Sequence, residues 1–178
     1  MPARAALPST YRVVDTRSME QLSVGEASYS IGRAARADVS EIVTLLRDDS
    51  LGARRELDDL RPYEAAFEAI DRDPNHLLVV VKDDRYVVVG TMQLTLLPGL
   101  ARGATTRLQL EAVRIAATAR GTGLGAALFE WAHDYGRRHG ADLAQLTTDK
   151  SRSDAHRFYG QLGYKATHKG MKRPLNEG

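Results

Sequence analysis

The residues that first suggest chemistry are the glycine-rich stretch RGTGLG at positions 120–125. It follows an apolar, strand-like run and precedes AALFEWA, a sequence typical of a helix. The first amide groups of a helix lack partners within the helix and carry the positive end of its dipole, so they bind anions such as phosphate. Arg120 adds a permanent positive charge at the entrance. The stretch predicts a site for a phosphate-bearing ligand, with a simple tight turn as the alternative.

The position of this loop in the chain limits the kind of phosphate ligand. GTGLGA satisfies the pattern G-x-G-x-x-[GA], so a dinucleotide-binding oxidoreductase is one hypothesis. That pattern opens its domain, however, whereas here several predicted elements precede the loop and only 52 residues follow Ala126. A P-loop is excluded because no glycine is followed by Lys and then Ser or Thr.

The strand in front of the loop, RLQLEAVRIA at positions 107–116, contains a change of pattern. Apolar residues occupy even positions up to Leu110 and odd positions from Val113. Such a change turns the side chains to the other face of a sheet unless one extra residue is absorbed locally. The sequence therefore predicts a β-bulge near Glu111 and Ala112, with a strand buried on both faces as the alternative. Bulges recur beside active sites because they redirect side chains and interrupt pairing.

Hydrophobic periodicity predicts the elements that position these residues. Helices are expected from Asp38, over Tyr63 to Ile70, from the glycine loop to His139, and over SDAHRFYGQLG (153–163); strands are expected in HLLVVV (76–81), YVVVGTMQLTLL (86–97), RLQLEAVRIA (107–116), LAQLTT (143–148) and YKATHKGMKRPL (164–175). Asp38 and Glu41 have the spacing of a capping box. The β-α-β-α-β order of the second half predicts an α/β fold with at least one parallel strand pair.

Size and composition are those of one globular domain: 178 residues, 43% hydrophobic and 27% charged. The chain has no cysteine, which excludes disulfides, thiolate metal sites and a cysteine nucleophile. Residues 1–28 show no clear period, so we expect a flexible extension there and the domain over residues 29–178. Neither a secretory signal nor an apolar run of bilayer length is evident, so a cytoplasmic protein without a membrane partner is expected.

Charge is unevenly distributed along the chain. The net charge of +2 gives no reason to expect a nucleic-acid partner. Nine acidic residues lie within 48–73 beside four arginines, whereas five basic and no acidic residues lie within 155–175. One interpretation is that the two segments are solvated surfaces whose charges balance each other. The other is that the acidic segment lines the entrance for a cationic ligand and the basic segment lies beside a polyanionic ligand. The five histidines lack the spacing of a metal site, so no metal is expected.

Taken together, these features resemble the GCN5-related N-acetyltransferase (GNAT) superfamily over about residues 29–175. The acyl-CoA loop of that family reads Arg or Gln, two residues, Gly, one residue, Gly or Ala, which residues 120–125 match. A second family signature, Ala-x-x-Phe-Tyr-x-x-x-Gly-Phe/Tyr, is matched by Ala155, Phe158, Tyr159, Gly163 and Tyr164. The resemblance implies an α/β fold with a mixed sheet of about six or seven strands, helices on both faces, and a bulged, splayed strand at the cofactor site.

The resemblance also implies acetyl-CoA as co-substrate. Its diphosphate would bind the loop amides, and its pantetheine arm would pair with the preceding strand like an added strand. The expected cofactor-binding residues are Val113, Arg114, Ile115, Arg120, Gly121, Thr122, Gly123, Leu124, Gly125, Ala126, Arg152, Ala155 and Phe158. Family members often carry at position 152 an Asn that contacts the cofactor, so Arg152 departs from the pattern.

Two further residues are expected to take part in catalysis. In the family the acetyl group passes directly from thioester to amine, and a lysine-like amine is neutral in only about one molecule in 2,500 at pH 7, a handicap of about 4.6 kcal/mol. Glu111 matches the position of a base in some members, with acceptor binding and a structural strand residue as alternatives. Tyr159 matches the proton donor to the departing CoA thiolate; hydrogen-bonding that thiolate, or packing beside Phe158, are its alternatives.

The sequence thus predicts an enzyme that moves the acetyl group of acetyl-CoA to a primary amine. A cationic small molecule is the expected acceptor, because the acidic segment 48–73 coincides with the first two helices of the family. The alternative is a non-catalytic acyl-CoA-binding or sensor domain. A homodimer is common in the family, and nothing in the sequence decides it.

Overall fold

A computed structural model describes residues 19–48 and 55–175 of the chain, with a six-stranded sheet at its centre. The strands lie across the sheet in chain order: β1 (Glu20–Val24), β2 (Ala27–Arg33), β3 (His76–Lys82), β4 (Val88–Pro98), β5 (Thr106–Ile115) and β6 (Leu143–Leu146). All neighbours are antiparallel except β5 and β6, which are parallel. The helices are α1 (Val39–Arg47), α2 (Arg61–Arg72), the single turn α3 (Ala101–Ala104), α4 (Leu124–Arg138) and α5 (Ser153–Gln161). In the described ranges, no helix has the length and apolar character needed to cross a membrane.

Two apolar cores lie on opposite faces of the sheet. On one face α4 packs against the strands and buries Leu128 and Phe129 completely. On the other face α1 and α2 cover β3 and β4 through side chains that include Val43 and Phe67. Strand β3 contributes to both cores, which explains its unbroken apolar sequence. The predicted α/β fold with helices on both faces is confirmed.

Strand β5 contains the predicted bulge. Thr91 of β4 pairs with Arg114 and Gln93 pairs with Glu111, so β5 carries one more residue than β4 between these pairs. Ala112 has a φ of 52°, in the left-handed region, as the extra residue of a bulge often does. The bulge compensates for the change of parity in the sequence: apolar side chains before and after it pack into the same core beside α4.

The pairing of β5 with β6 ends at Leu110 and Leu146. Strand β5 continues to Ile115, whereas the chain after β6 enters the loop 147–152 that leads to α5. Among the described residues, the part of β5 beyond the bulge therefore has a neighbouring strand only on the β4 side. This is the splayed strand that the sequence predicted.

The N-terminal boundary predicted from the sequence is corrected by the structure. Residues 20–28 belong to the sheet, since β1 and β2 form an antiparallel hairpin at its edge; residues 1–18 lie outside the described part of the chain. The indole nitrogen of Trp131 on α4 donates a hydrogen bond to the carboxylate of Glu20 (3.0 Å), which docks the hairpin. The sequence EQLSVGEAS has few apolar residues, so its alternation was too weak to indicate a strand.

The last strand predicted for residues 164–175 is wrong, since these residues form no regular element. The large apolar side chains Met171 and Leu175 are 95% and 90% exposed, so the segment gains little from burial. Gly170 and Pro174 also disfavour a strand. Strand β6 is correspondingly the outer strand of the described sheet.

Helix α1 begins at Val39, close to the predicted position, but the predicted capping box is not formed. The carboxylate of Asp38 instead accepts a hydrogen bond from the Ala35 amide (2.8 Å) and pairs with Lys82 (2.7 Å). The carboxylate of Glu41 accepts a hydrogen bond from the Val88 amide (3.1 Å). Both carboxylates therefore tie the start of α1 to the neighbouring chain and strands.

Candidate active site

The glycine loop leads from a short 3-10 turn into α4. Gly121 and Gly123 have φ angles of 78° and 96°, which glycine adopts without the steric cost that other residues incur. Between them, the hydroxyl of Thr122 donates to the Ala119 carbonyl (2.9 Å) and accepts from the Leu124 amide (3.3 Å). The Thr122 side chain therefore fixes the loop in a curved conformation at the start of the helix.

Several backbone amides of this loop have no acceptor. The amides of Gly121, Thr122, Gly123, Gly125 and Ala126 have no hydrogen-bond acceptor among the described residues. The first bond of the helix itself runs from the Ala127 amide to the Gly123 carbonyl (3.1 Å). A row of N–H groups at the positive end of a 15-residue helix is a binding site for an anion with several oxygens, such as a diphosphate.

Arg120 stands at the entrance of the loop, where the sequence placed it, but its charge is partly neutralised. Its guanidinium donates to the carboxylate of Asp48 (2.8 Å) at the end of α1, and its Nε donates to the Ile115 carbonyl (3.0 Å). Arg120 thus connects α1, β5 and the loop, and it shapes the site in addition to carrying charge.

The part of β5 beyond the bulge turns polar backbone groups away from β4. The carbonyl of Val113 accepts a hydrogen bond from Arg114 Nη1 (2.9 Å), and that of Ile115 accepts from Arg120. The amide of Ala116, in contrast, donates to β4 (2.8 Å). Since backbone groups alternate in direction along a strand, the amides of Val113 and Ile115 point to the open side. This edge can pair with an extended ligand.

Helix α5 lies beside the loop and brings three more of the predicted residues to it. A Cβ built on Gly125 would lie 3.4 Å from the ring of Phe158, so the first turn of α4 touches α5. Arg152 precedes the first residue of α5, and Ala155 lies in its first turn, half-buried. Gly125 and Phe158, two predicted cofactor-binding residues that are distant in the sequence, are thereby adjacent in the fold.

Tyr159 is half-buried on α5, next to Phe129 at a ring-centroid distance of 5.6 Å. Burial raises the pKa of the Tyr159 phenol, and the nearby charges of Arg152 and Arg114 lower it in part. Within the described ranges its hydroxyl has no hydrogen-bond partner. A phenol with a raised pKa stays protonated at neutral pH, so it can donate to an anion that forms beside it.

Glu111 is exposed at the bulge, opposite Gln93 of β4. Its side chain belongs to the face of β5 that points away from α4, whereas Tyr159 packs on the α4 side. The two predicted catalytic residues do not touch each other.

The sequence analysis missed a polar surface next to Glu111. Gln109 on β5 and Gln145 on β6 are joined by a hydrogen bond (2.7 Å), and Arg107 Nη1 donates to Gln145 (3.4 Å). The signal was present in RLQLE, where polar residues alternate with buried leucines.

The acidic segment is largely neutralised by arginines. Arg36 pairs with Glu64 (3.0 Å) and Glu68 (2.7 Å), and Arg33 pairs with Asp71 (3.0 Å). A cleft of about 460 Å³ between the starts of α1 and α2 is lined by Arg36 and Glu64, and not by the glycine loop. Among the described residues, no group of three or more His, Asp or Glu side chains is arranged so that it could hold a metal ion.

An anion-binding loop beside a strand edge that parts from its parallel neighbour is what an acyl-CoA-dependent acyltransferase requires. The acetyltransferase (GNAT) family model matches residues 40–164 of the chain. The chain therefore belongs to the GNAT family and is an acetyl-CoA-dependent N-acetyltransferase, as the sequence predicted.

Three similar proteins support the fold, and one of them, by its sequence, also supports the N-acetyltransferase assignment. The aminoalkylphosphonate N-acetyltransferase of Salmonella typhimurium is 32% identical over 111 residues, which are 62% of this chain and 70% of that protein. A transcriptional regulator from Bacillus halodurans C-125 is similar in structure, with a TM-score of 0.78 and 39% identity over 83% of this chain and 99% of that chain. Glucosamine-6-phosphate N-acetyltransferase from Arabidopsis thaliana shares the fold, with a TM-score of 0.69 and 17% identity over 83% of this chain and 99% of that one.

Replacing Gly121 by Ala should weaken acetyl-CoA binding by about tenfold or more, because the substitution strains the backbone that directs the loop amides. Gly140 is a matched control: its φ is 75° against 78° for Gly121, and neither has an atom within 4 Å of a built Cβ. Both variants should lose about 1 kcal/mol of unfolding free energy. Calorimetric titration with acetyl-CoA checks the difference, and equal affinity in the two variants would count against the loop.

Proposed function

We propose that this enzyme transfers the acetyl group of acetyl-CoA directly to a primary amine in a ternary complex. The CoA diphosphate binds the loop amides of residues 121–126, and the pantetheine arm pairs with residues 113–115 of β5. The observation that carries the proposal is the convergence of unpaired loop amides and an unpaired strand edge at the start of α4. The loop amides can donate hydrogen bonds to the diphosphate, and the strand edge can exchange hydrogen bonds with the amide groups of the pantetheine arm.

Positive charge near Tyr159 would stabilise the negative charge of the departing CoA thiolate. Arg152 and Arg114 act electrostatically on the phenol, so they also act on a negative sulfur placed beside it. Tyr159 donates its proton or a hydrogen bond to this sulfur as the C–S bond breaks. The amide of Val113 is oriented to stabilise the oxyanion of the tetrahedral intermediate. Arg152 thus takes over, through charge, the cofactor contact that Asn makes in many relatives.

Glu111 receives the proton of the acceptor amine, directly or through water. Its exposure at the bulge leaves room for a water molecule and for the acceptor. A base is useful because the protonated amine is not a nucleophile, a handicap of about 4.6 kcal/mol at pH 7 for a lysine-like amine.

The acidic segment 48–73 bears on the charge that the acceptor carries besides its amino group. The cationic acceptor expected from the sequence stays a prediction, and the ion pairs of Glu64, Glu68 and Asp71 reduce the charge that suggested it. The Salmonella relative acts, by its name, on an amine that also carries a phosphonate. A homodimer and a cytoplasmic location stay predictions as well.

Tyr159→Phe should lower kcat by about 10²-fold while leaving the KM for acetyl-CoA within about twofold, since the hydroxyl acts only as the sulfur departs. Steady-state kinetics with free-thiol detection checks this. Tyr164→Phe is the matched control: it removes a phenol that shares a hydrogen bond with His133 (2.8 Å), so it should cost about 1 kcal/mol of stability and leave kcat nearly unchanged. An unaltered kcat in Tyr159→Phe would remove Tyr159 from the mechanism.

Glu111→Gln should reduce kcat/KM most at neutral pH, and the deficit should shrink as the pH approaches the pKa of the acceptor amine, about 10 for an alkylamine. Above that pH the amine deprotonates without help, so the base becomes dispensable. A pH profile of both enzymes checks this, with Glu26→Gln, an exposed turn residue, as control. A deficit that stays constant with pH would assign Glu111 to acceptor binding or structure.

A further inference from the structure

A polar platform lies on the face of the sheet opposite to α4. It consists of Gln93 on β4, Arg107, Gln109 and Glu111 on β5, and Gln145 on β6. All five side chains are partly or fully exposed, whereas Leu94, Leu108 and Leu110 on the other face of the same strands are buried. On this face the core beneath α1 and α2 includes Leu78 and Val80 of β3, whereas the five platform side chains contribute nothing to it. Polar groups that converge outside an apolar core commonly provide specificity for a ligand.

Arg107 and Glu111 give this platform opposite charges at its two ends. Most arginines of the described ranges form ion pairs, for example Arg33, Arg36 and Arg120. Arg107 is half-buried and forms no ion pair with any described residue; its Nη1 donates a hydrogen bond to the side-chain oxygen of Gln145 (3.4 Å). Half-buried guanidinium groups favour an anionic partner, which a ligand can supply.

The spacing of these charges sets the size of the ligand. Arg107 reaches Gln145, which stands beside Gln109 in the parallel register, two residues before Glu111. Two residues of a strand span about 7 Å. An amine at Glu111 and an oxyanion at Arg107 therefore belong to a short chain, and the glutamine amides between them can bind its polar atoms.

We propose that the polar platform is the acceptor subsite and that it selects primary amines carrying an oxyanion group about 5–7 Å from the nitrogen. This inference rests on the proposed function. The ammonium group loses one proton to Glu111, and the nitrogen forms a bond to the acetyl carbon as the C–S bond breaks. The second proton that the nitrogen loses ends on the sulfur, which receives it through Tyr159, so CoA leaves as the thiol. Arg107 holds the carboxylate, phosphate or phosphonate of the acceptor throughout. A polyamine would place a second positive charge beside Arg107, so the platform disfavours it.

The test compares acceptors that differ only in the anionic group. We would measure kcat/KM for 4-aminobutyrate, its uncharged amide, 3-aminopropylphosphonate and putrescine, with wild-type enzyme and with Arg107→Gln, Arg107→Lys and Arg85→Gln. Arg85 is an exposed arginine in the turn between β3 and β4 and serves as the control for charge removal. Thermal unfolding of each variant verifies that it folds.

We expect the wild-type enzyme to prefer the better anionic acceptor over the amide by at least about tenfold. Arg107→Gln should abolish this preference, Arg107→Lys should retain part of it, and Arg85→Gln should leave it intact. The ratio between the carboxylate and the phosphonate identifies the oxyanion. Equal use of amide and acid by the wild type, or an equal loss on both in Arg107→Gln, would overturn the subsite while leaving acetyl transfer to amines in place.

If no amine is acetylated, a binding measurement with the acceptors tests the subsite on the polar platform independently of the proposed acetyl transfer. Calorimetric titration of the CoA-bound protein with 4-aminobutyrate and 3-aminopropylphosphonate measures occupancy without turnover. Binding that is lost in Arg107→Gln and kept in Arg85→Gln supports the platform even where the proposed function fails. Absence of binding, or binding that does not depend on Arg107, contradicts it.

Discussion

One extra residue in β5 marks the point at which β5 and its parallel neighbour β6 part. Ala112, in a left-handed conformation, interrupts the pairing with β4, and beyond the bulge β5 has no partner on the β6 side among the described residues. A continuous ladder would consume the amides of Val113 and Ile115 in hydrogen bonds to β6. The bulge leaves them for a ligand, and it does so while keeping the apolar side chains of β5 in one core. The same bulge thus leaves backbone amides available for the proposed cofactor and preserves the packing of β5 in the core.

The same strand divides the site into two chemically different sides. On the α4 side, aromatic rings around Phe129 bury the phenol of Tyr159 and raise its pKa, which favours its protonated form. On the other side, Glu111 and its polar neighbours remain open to solvent. Tyr159, the proposed proton donor, therefore lies in surroundings that favour its protonated form, and Glu111, the proposed proton acceptor, lies on the opposite, solvent-exposed face.

Much of this arrangement could be predicted from local sequence. The apolar runs of β3 and β4, the glycine loop before α4 and the change of parity at Glu111 each depend on neighbours within a few residues. Features that depend on distant partners were missed. The hairpin of β1 and β2 is docked by Trp131 and Glu20, which are 111 residues apart. Arg36 neutralises carboxylates 28 and 32 residues away, so the acidic segment looked more charged in the sequence than it is in the fold.

The central claim is that the backbone at the start of α4 and the open edge of β5 bind coenzyme A. A crystal structure of the complex with CoA tests it most directly. The account predicts diphosphate oxygens within hydrogen-bond distance of the amides of Gly121, Gly123 and Gly125, and a pantetheine arm that pairs with Val113 and Ile115. CoA bound elsewhere, or β5 and β6 paired along their whole length in the complex, would contradict it.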